Sequence, residues 1–372
     1  MYALNASSGA QLWSYQSRGY VSSLTVSNGA VYVSSGTSVD ALNASSGAQL
    51  WSYQTGDSYL SSLTVSNGVV YVSSGTSVDA LNASNGAQLW SYQTGGSYLS
   101  SLTVSNGVVY IGTEDYNNTS VSVDALNASS GAQLWSYQTG GSYLSSLTVS
   151  NGVVYIGAED STSMFVDALN ASSGAQLWSH QTRGFVTLTV SNGVVYIGAE
   201  DSTSMFVDAL NASSGAQLWS YQTKGSYLSS LTVSNGVVYV SASTSNTSVF
   251  VDALNASSGA QLWSYQTGGF FFSSLTVSNG VVYIGTDGNN YTSVSVDALN
   301  ASSGAQLWSH QQVEQVPTYI SSLKVSNGTI YASTCATYVY ISNSGGGGCY
   351  NNYVDALNAS SGSLIWYYQF GS

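Results

Sequence analysis

Two short segments follow one another along the whole chain, and in each of them apolar residues alternate with polar or small ones. The first reads LTVSNGVVYV, as at residues 63–72, and the second reads VDALNASSGAQLWSYQ, as at residues 39–54. Alternation with a period of two is typical of a half-buried β-strand, and no segment has the 3.6-residue period of a helix. We therefore expect strands throughout.

Turn signals divide both segments into two strands each. An Asn-Gly pair, which tolerates the positive φ angles of a tight hairpin, lies in the middle of the first segment. In the second segment NASSG forms the turn, because Asn and Ser side chains bond to their own backbone. Each repeat is therefore predicted to contain four antiparallel strands, which we name A, B, C and D. The Asn-Gly pairs begin at Asn28, Asn67, Asn106, Asn151, Asn192, Asn235, Asn279 and Asn327.

The string ALNASSGAQLW occurs nine times, with small changes in the third and ninth copies, and it ends in tryptophan every 38 to 58 residues. Four strands in a repeat of this length are typical of a β-propeller blade. We expect residues 1–372 to form a single all-β propeller of four-stranded antiparallel blades. The tryptophans are Trp13, Trp51, Trp90, Trp135, Trp178, Trp219, Trp263, Trp308 and Trp366.

The numbers of the two kinds of hairpin differ by one. The sequence contains eight A–B hairpins but nine C–D hairpins, because residues 1–17 and 353–372 are both of the C–D kind. An eight-bladed ring, our first expectation, leaves one terminal hairpin surplus, whereas the alternative is nine blades of which one is incomplete. An unpaired hairpin exposes backbone donors and acceptors and favours pairing with another chain.

The repeated string resembles the tryptophan-docking motif of the quinoprotein-like propellers, the family with PQQ-binding-like repeats. In the second copy Ala41, Asn43, Ser46, Gly47 and Trp51 occupy the motif positions, with Asn and Ser where that family has Asp and Thr. The resemblance extends over the whole chain and implies that each strand-D tryptophan docks on a turn of a neighbouring blade. Burying a Trp removes roughly 150 to 250 Å² from water and its N–H needs a partner, so we interpret the nine as structural staples.

Many members of that family are dehydrogenases that use pyrroloquinoline quinone, a tricarboxylate, but this chain lacks the residues that such a cofactor implies. Four basic residues stand against seventeen acidic ones, and Cys335 and Cys349 are not the adjacent pair found in many of those enzymes. Neither His180 nor His310 lies in a context that pairs it with a Ser and an Asp for nucleophilic catalysis. We expect no catalytic residue, no cofactor and no metal. The basic residues are Arg18, Arg183, Lys224 and Lys324.

Acidic residues recur in two places. One Asp stands at the same position of strand C in eight repeats, where it could hold cations or, as we favour, accept a hydrogen bond from the adjacent blade. The groups Glu114-Asp115, Glu159-Asp160, Glu200-Asp201 and Asp287 with Asn289 and Asn290 offer oxygen atoms but no full calcium site, so solvated turns are expected. The repeated residues are Asp40, Asp79, Asp124, Asp167, Asp208, Asp252, Asp297 and Asp355.

The composition limits the partners and the setting. With a net charge of −13, the chain is a poor match for nucleic acid, whose phosphates require clustered Lys and Arg. No run approaches the ~18 apolar residues that would span a bilayer. Only 6% of the residues are charged, so the surface must consist mainly of Ser, Thr, Asn, Gln and Tyr.

Two further features favour an extracellular location. Cys335 and Cys349 flank a Gly-rich insertion between strands B and C of the last repeat and are expected to form a disulfide, the alternative being two free thiols. Acceptor sequences for N-glycosylation occur in variable loops at Asn118, Asn246 and Asn290, and nine more lie in the C–D turns, where the turn itself also favours Asn and Ser. These nine are Asn5, Asn43, Asn82, Asn127, Asn170, Asn211, Asn255, Asn300 and Asn358.

All variation in length falls in the B–C loops and D–A connections, which share one face of a propeller. We expect a non-catalytic, extracellular or cell-surface glycoprotein that builds a filament, sheath or surface layer by pairing strands head-to-tail with copies of itself. The composition is similar to that of surface-layer proteins. The alternative is an adhesin, a propeller that binds carbohydrate or protein with its variable loop face.

Overall fold

The computed structural model is all β, as the alternation of apolar and polar residues predicts. The described residues form eight four-stranded antiparallel sheets and one two-stranded sheet, and in each sheet neighbouring strands follow one another in the sequence. The structure describes the whole chain except residues 57–59, 97, 115–119, 160–163, 183, 201–203, 226, 245–247, 269–270, 289–292, 314–317, 340–347 and 371–372.

The two-stranded sheet comes first in the chain, and the complete sheets follow. It consists of β1 (Tyr2–Leu4) and β2 (Gln11–Ser14). The A strands are β3 (Val21–Ser27), β7 (Leu60–Ser66), β11 (Tyr98–Ser105), β15 (Tyr143–Ser150), β19 (Phe185–Ser191), β23 (Tyr227–Ser234), β27 (Phe271–Ser278) and β31 (Thr318–Ser326). The B strands are β4 (Ala30–Ser35), β8 (Val69–Ser74), β12 (Val108–Glu114), β16 (Val153–Glu159), β20 (Val194–Glu200), β24 (Val237–Ser243), β28 (Val281–Asp287) and β32 (Thr329–Val339).

The second half of each complete sheet is a C–D hairpin. The C strands are β5 (Ser38–Asn43), β9 (Ser77–Asn82), β13 (Val121–Asn127), β17 (Met164–Asn170), β21 (Met205–Asn211), β25 (Val249–Asn255), β29 (Ser293–Asn300) and β33 (Gly348–Asn358). The D strands are β6 (Gln49–Gln54), β10 (Gln88–Gln93), β14 (Gln133–Gln138), β18 (Gln176–Thr182), β22 (Gln217–Gln222), β26 (Gln261–Gln266), β30 (Gln306–Val313) and β34 (Leu364–Gln369).

The two kinds of turn form for the reasons that their residues predict. In all eight A–B turns Asn has a φ of 48° to 50° and Gly a φ of 74° to 77°, which confirms the tight hairpins. In the C–D turns Asn accepts backbone hydrogen bonds, and Asn43 Oδ1 lies 3.0 Å from the nitrogens of both Ser45 and Ser46. This turn is closed by Gly47, whose φ is 70°.

The chain divides into two compact units, which consist of residues 1–4, 11–190 and 212–215 and of residues 5–10, 191–211 and 216–372. In both units the apolar core lies between successive sheets. A core cluster of the first unit joins Tyr110 and Trp135 of one sheet to Leu144 and Ile156 of the next. In the second unit Tyr239 and Trp263 pack with Ile284 of the following sheet in the same way.

Strand A is the inner strand of the blades and strand D the outer one. In the first unit the A strands β3, β7, β11 and β15 contact one another in succession, and β23, β27 and β31 do so in the second unit. The D strands form the opposite edge of each complete sheet and carry several exposed residues, as along β6.

The hairpin without A and B strands is the first one. Among the described residues β1 pairs with β2 alone, whereas β33 and β34 complete a four-stranded sheet with β31 and β32. The described part of the chain thus forms eight complete blades and one C–D hairpin at residues 1–14. We call this hairpin, residues 1–14, the half-blade.

Candidate functional site

The most regular site in the molecule is the seam between successive sheets, where a strand-D tryptophan docks on a C–D turn. Each indole Nε1 donates to an alanine carbonyl oxygen at 2.9 to 3.1 Å. The ring covers the glycine of the turn, and a Cβ at Gly131 would lie 2.7 Å from Trp90. The nine pairs are Trp13–Ala44, Trp51–Ala83, Trp90–Ala128, Trp135–Ala171, Trp178–Ala212, Trp219–Ala256, Trp263–Ala301, Trp308–Ala359 and Trp366–Ala6.

A strand-B tyrosine shares the acceptor of the docked tryptophan in eight of the nine seams, a role that sequence reasoning missed. In eight seams the Tyr hydroxyl donates to the same alanine oxygen at 3.2 to 3.4 Å. The two rings lie 5.9 to 6.0 Å apart, within the range of favourable aromatic pairs. The Tyr that recurs in the VVYV segment is the sequence feature that could have predicted this role. These tyrosines are Tyr32, Tyr71, Tyr110, Tyr155, Tyr196, Tyr239, Tyr283 and Tyr331.

The repeated strand-C aspartates lie buried in the seams. Strand-D tyrosines of the preceding sheet donate to Oδ2 at 3.0 to 3.3 Å in five of them. Burial and the nearby Asp79 carboxylate raise the pKa of Tyr53 to about 12, so its hydroxyl stays a donor. No group of three or more His, Cys, Asp or Glu is close enough to hold a metal ion in the described part of the chain. The five pairs are Tyr15–Asp40, Tyr53–Asp79, Tyr92–Asp124, Tyr137–Asp167 and Tyr221–Asp252.

The expectation of solvated turns is wrong for Glu114 and Asp287. Both side chains are buried at the end of strand B, and each accepts a backbone N–H from strand A of the next sheet. Glu114 Oε1 lies 3.2 Å from the nitrogen of Leu144, and Asp287 Oδ1 lies 3.0 Å from that of Ile320. Burial raises the pKa of Asp287 to about 7 and also raises that of Glu114. Asp115, Asp160, Asp201, Asn289 and Asn290 lie outside the described residues.

The two histidines occupy the strand-D position that tyrosine has in the other repeats. His310 donates to the carbonyl of Gly362 in the next sheet, and burial lowers its pKa. His180 faces Val166 across the β17–β18 ladder. This placement gives neither histidine a nucleophile to activate among the contacts that the structure describes.

The features that favour an extracellular setting lie largely beyond the described residues. Cys335 is buried on β32, whereas the side chain of Cys349 is not among those described. Asn118, Asn246 and Asn290 also fall outside. The nine turn asparagines are described, and their amide oxygens stabilise the C–D turns, as at Asn127.

A tricarboxylate cofactor does not fit the residues that the structure describes. Arg18, Lys224 and Lys324 are exposed, and Lys224 lies 5.6 Å from the ring centre of Phe250 on the surface. Arg183 is outside the described part. The buried polar side chains are Ser, Thr, Asp and Glu, so the described interior offers further negative charge where pyrroloquinoline quinone would need cations.

Two kinds of exposed side chain mark the surface. One aliphatic residue in each D strand, the one before the docked tryptophan, is about half exposed, and no D strand contains a charged residue. Tyr20, Tyr143 and Tyr227 are exposed where strand A begins, on the side of the variable loops. Among the described residues no helix is long and apolar enough to cross a membrane. These residues are Leu12, Leu50, Leu89, Leu134, Leu177, Leu218, Leu262, Leu307 and Ile365.

Four-stranded blades joined by tryptophan-docking seams define a β-propeller. Sequence comparison identifies the family: a PQQ-like repeat model described as outer membrane protein assembly factor BamB matches residues 1–66, 38–162, 101–199, 164–253 and 207–372. These overlapping matches extend over the whole chain, which therefore belongs to this family. No curated protein matches the sequence.

Solved structures share the fold at low sequence identity. The computationally designed protein Ika8 is 18% identical, with 85% of this chain and 94% of that one covered and a TM-score of 0.62. BamB from Moraxella catarrhalis is 20% identical, with 83% of this chain and 90% of that one covered and a TM-score of 0.58. The quinohemoprotein alcohol dehydrogenase ADHIIG from Pseudomonas putida HK5 is 15% identical, with 85% of this chain and 69% of that one covered and a TM-score of 0.55. At such identities the similarity establishes the fold alone.

Proposed function

We propose that this protein is a non-catalytic structural subunit that acts outside the cell and assembles head-to-tail into a filament, sheath or surface layer. The chemistry-bearing residues that recur in every repeat support this proposal, because Trp, Tyr, Asp and Asn are used in seams and turns. The buried charged side chains are Asp and Glu, which would repel a tricarboxylate cofactor, and this supports the non-catalytic part of the proposal. Addition of pyrroloquinoline quinone and Ca²⁺ should therefore produce neither binding nor dehydrogenase activity.

The contact between the two ends of the chain carries the proposal. Trp366 Nε1 and Tyr331 Oη lie 3.0 and 3.2 Å from the carbonyl oxygen of Ala6, although 360 and 325 residues separate them from it in sequence. We call this contact the terminal seam. Trp51 and Ala83, which form an internal seam with the same geometry, are only 32 residues apart.

A terminal seam can form within one chain or between two chains with the same contacts. Because its groups are those of every internal seam, the last sheet of one copy fits the first turn of another copy equally well. Such a head-to-tail contact is heterologous, and it produces a filament when it does not close on itself. The uncharged D strands, each with an exposed leucine, also lack the charges that usually prevent edge-to-edge association.

The experiment compares two tryptophan substitutions. The full-length protein should form filaments as its concentration rises, measured by light scattering and electron microscopy. Trp366→Ala should abolish them, because it removes the terminal seam. Trp90→Ala is the matched control: it weakens an internal seam by about 3 to 5 kcal/mol but should leave filament formation intact. A full-length protein that stays monomeric at every concentration contradicts head-to-tail assembly.

The extracellular setting is tested on protein from its native source. Non-reducing peptide mapping should recover Cys335 linked to Cys349, because an oxidising compartment retains a disulfide across this Gly-rich insertion. Glycopeptides should be found at one or more of Asn118, Asn246 and Asn290, since a surface with so little charge needs another source of solubility. Two free thiols together with an intact mass equal to that of the bare sequence would argue for another compartment.

The exposed tyrosines favour an adhesin as the second candidate. Tyr20, Tyr143 and Tyr227 lie at the starts of A strands, on the variable loop face, where flat aromatic rings can stack on sugars or anchor a protein partner. A glycan array should then detect a ligand whose affinity falls at least about tenfold in Tyr20→Ala or Tyr143→Ala. Tyr367→Ala changes an equally exposed tyrosine on the outer strand β34 and should have no effect.

A further inference from the structure

A polar cleft lies within the second unit, between the sheet of strands β23 to β26 and the sheet of strands β27 to β30. Its volume is about 260 Å³. Among the side chains that line it, Asp297 on β29 is only 4% exposed, whereas Gln306 and Gln311 on β30 are exposed. The cleft therefore extends from the protein surface to a buried carboxylate.

Two small residues, Gly268 and Ser295, leave this space open. In the seam between β14 and β17 the equivalent positions are held by Gly140 and Phe165, and a Cβ placed at Gly140 would lie 3.8 Å from the phenyl Cζ. At Gly268 no heavy atom of the described structure lies within 4 Å of the corresponding place. The space that a phenyl ring fills in one seam is therefore open in the other.

The same two positions also face each other in a third seam. Lys224 is the equivalent of Gly268, and Phe250 is the equivalent of Ser295. The Lys224 ammonium lies 5.6 Å from the centre of the Phe250 ring. Side chains of ordinary size at these positions thus meet, so the cleft results from having Gly at one and Ser at the other.

The carboxylate in this cleft lacks the tyrosine donor that five of its equivalents have. The Tyr265 hydroxyl donates to Gln306 Oε1 at 3.3 Å, and no hydrogen bond joins it to Asp297 in the part of the chain that the structure describes. Asp297 accepts a hydrogen bond from Ser309, and burial still raises the pKa of its carboxyl group. A carboxylate has about four acceptor positions, so Asp297 can accept further hydroxyl groups.

Two other seams also have a Gly and a Ser at these positions, but in both of them the strand-D tyrosine donates to the strand-C aspartate at 3.2 to 3.3 Å. An open space and a carboxylate without this bond thus occur together beside Asp297. The small residues of the other two seams are Gly56 with Ser77 and Gly95 with Ser122.

We propose that this cleft binds one neutral sugar residue, a hexopyranose. A six-membered sugar ring has about the girth of the phenyl ring that fills the equivalent space at Phe165, but it requires polar walls. Carboxylate, amide and hydroxyl groups supply the donors and acceptors for its hydroxyl groups. The ring of Tyr265 adds an apolar surface for its C–H groups. The Asp297 carboxylate disfavours an anionic sugar.

The cleft is separate from the surfaces of the proposed function. Neither the terminal seam nor the exposed Tyr20, Tyr143 and Tyr227 contribute to its described lining. The inference therefore goes beyond head-to-tail assembly and does not rest on it, and either one can fail while the other holds.

Saturation-transfer NMR on the full chain tests the class of ligand. Glucose, galactose, mannose and N-acetylglucosamine are the probes, and at least one should bind with a Kd of about 1 mM. Glucuronate, in which a carboxylate replaces the terminal CH₂OH of glucose, should show no saturation transfer. The absence of transfer to all four neutral sugars at about 100 mM overturns the proposal. Binding of Ca²⁺ without binding of any sugar would assign the oxygen atoms to a cation and overturn it as well.

Ser295→Phe fills the cleft with the side chain that Phe165 and Phe250 have at this position. The variant should lower the affinity for the sugar at least about tenfold, because the ring takes the ligand's place. The fold should persist, since two other seams already accommodate a phenylalanine here, and circular dichroism and the melting temperature check this. Sugar binding that survives Ser295→Phe at full strength shows that the sugar occupies a different site, and it overturns the proposal.

A matched pair of glutamine variants locates the site without changing its buried part. Gln306→Ala removes an exposed amide of the cleft and should weaken sugar binding about three- to tenfold. Gln261→Ala is the control, because Gln261 accepts a hydrogen bond from Tyr221 as Gln306 does from Tyr265, but in the seam that Phe250 occupies. It should leave the affinity unchanged. Equal affinities for the two variants would show that the cleft is not the binding site.

Discussion

At the scale of single residues, the few charges of this chain are unusual because many of them are buried. Five strand-C aspartates accept hydrogen bonds from tyrosines of the preceding sheet. Glu114 and Asp287 accept backbone N–H groups from the next one. A buried carboxylate is costly unless hydrogen bonds compensate for its lost hydration. These acids therefore fix the alignment of neighbouring sheets, and they make the stability of the fold sensitive to pH.

Asp287→Asn should flatten this pH dependence. Because burial raises the pKa of Asp287 from 3.8 to about 7, the folded chain binds a proton more tightly here than the unfolded chain, and stability falls as the pH rises from about 4 to 7. Asparagine keeps an oxygen acceptor for Ile320 but cannot ionise. The variant should be more stable than the native chain at pH 8, by on the order of 2 kcal/mol, and nearly equal at pH 4.

Thermal unfolding of both proteins between pH 4 and 8 measures the difference. Asp167→Asn is the control, because that carboxylate is bound by a tyrosine hydroxyl and not by a backbone N–H of strand A. Parallel curves for Asp287→Asn and the native chain would show that the carboxyl group does not titrate differently in the folded and unfolded states.

At the scale of elements, the glycines of the two turns have similar backbone angles but different surroundings. Gly107 follows Asn106 in an A–B turn with a φ of 76°, and nothing lies within 4 Å of the place where a Cβ would be. Gly131 closes a C–D turn with a φ of 71°, and its Cβ would lie 2.7 Å from Trp90. Gly107 is required only for its backbone conformation. Gly131 also leaves free the space that the indole of Trp90 occupies.

Gly131→Ala should therefore destabilise the fold much more than Gly107→Ala. Both substitutions place a Cβ on a backbone with positive φ, which costs about 1 kcal/mol. Only Gly131→Ala also drives the new methyl group into Trp90, which adds about 2 kcal/mol or more of overpacking. Chemical denaturation of the two variants measures the difference, and equal losses would mean that the seam adjusts to the methyl group at little cost.

The sequence predicts the elements well and the seams only in part. Alternation and the Asn-Gly pairs were sufficient for strands and turns, because both depend on neighbours in sequence. The docking of Trp90 came from a resemblance, and the role of Tyr71 was missed, since its hydroxyl meets Ala128 in the next sheet, 57 residues away. Burial of Asp287 could not be inferred either, because a polar residue beside a loop is normally solvated.

At the scale of the whole molecule, the unequal numbers of hairpins decide how the ends of the chain behave. The half-blade provides Ala6 as the acceptor for Trp366 and Tyr331, and its Trp13 docks on the turn at Ala44. The sheet contains only two short strands, so it contributes little pairing of its own. Its main contribution lies in the two contacts that it makes with complete blades.

Deletion of residues 1–17 should leave the fold intact and prevent assembly. All eight four-stranded sheets keep their strands, so circular dichroism should still show a β protein with cooperative unfolding. Trp366 and Tyr331 lose their shared acceptor both within the chain and in any neighbouring copy. Under the proposed function the shortened protein should stay monomeric in light scattering at concentrations where the full chain forms filaments.

Trp13→Ala is the control for this deletion, because it weakens the attachment of the half-blade to the next sheet but keeps Ala6 and Trp366. It should lower stability by about 3 to 5 kcal/mol and still assemble. If the shortened chain forms the same filaments as the full one, the terminal seam is not the assembly contact, and the exposed leucines of the D strands become the surface to test. If the shortened chain unfolds instead, the half-blade is needed for the stability of the single molecule, and the eight complete blades do not fold stably without it.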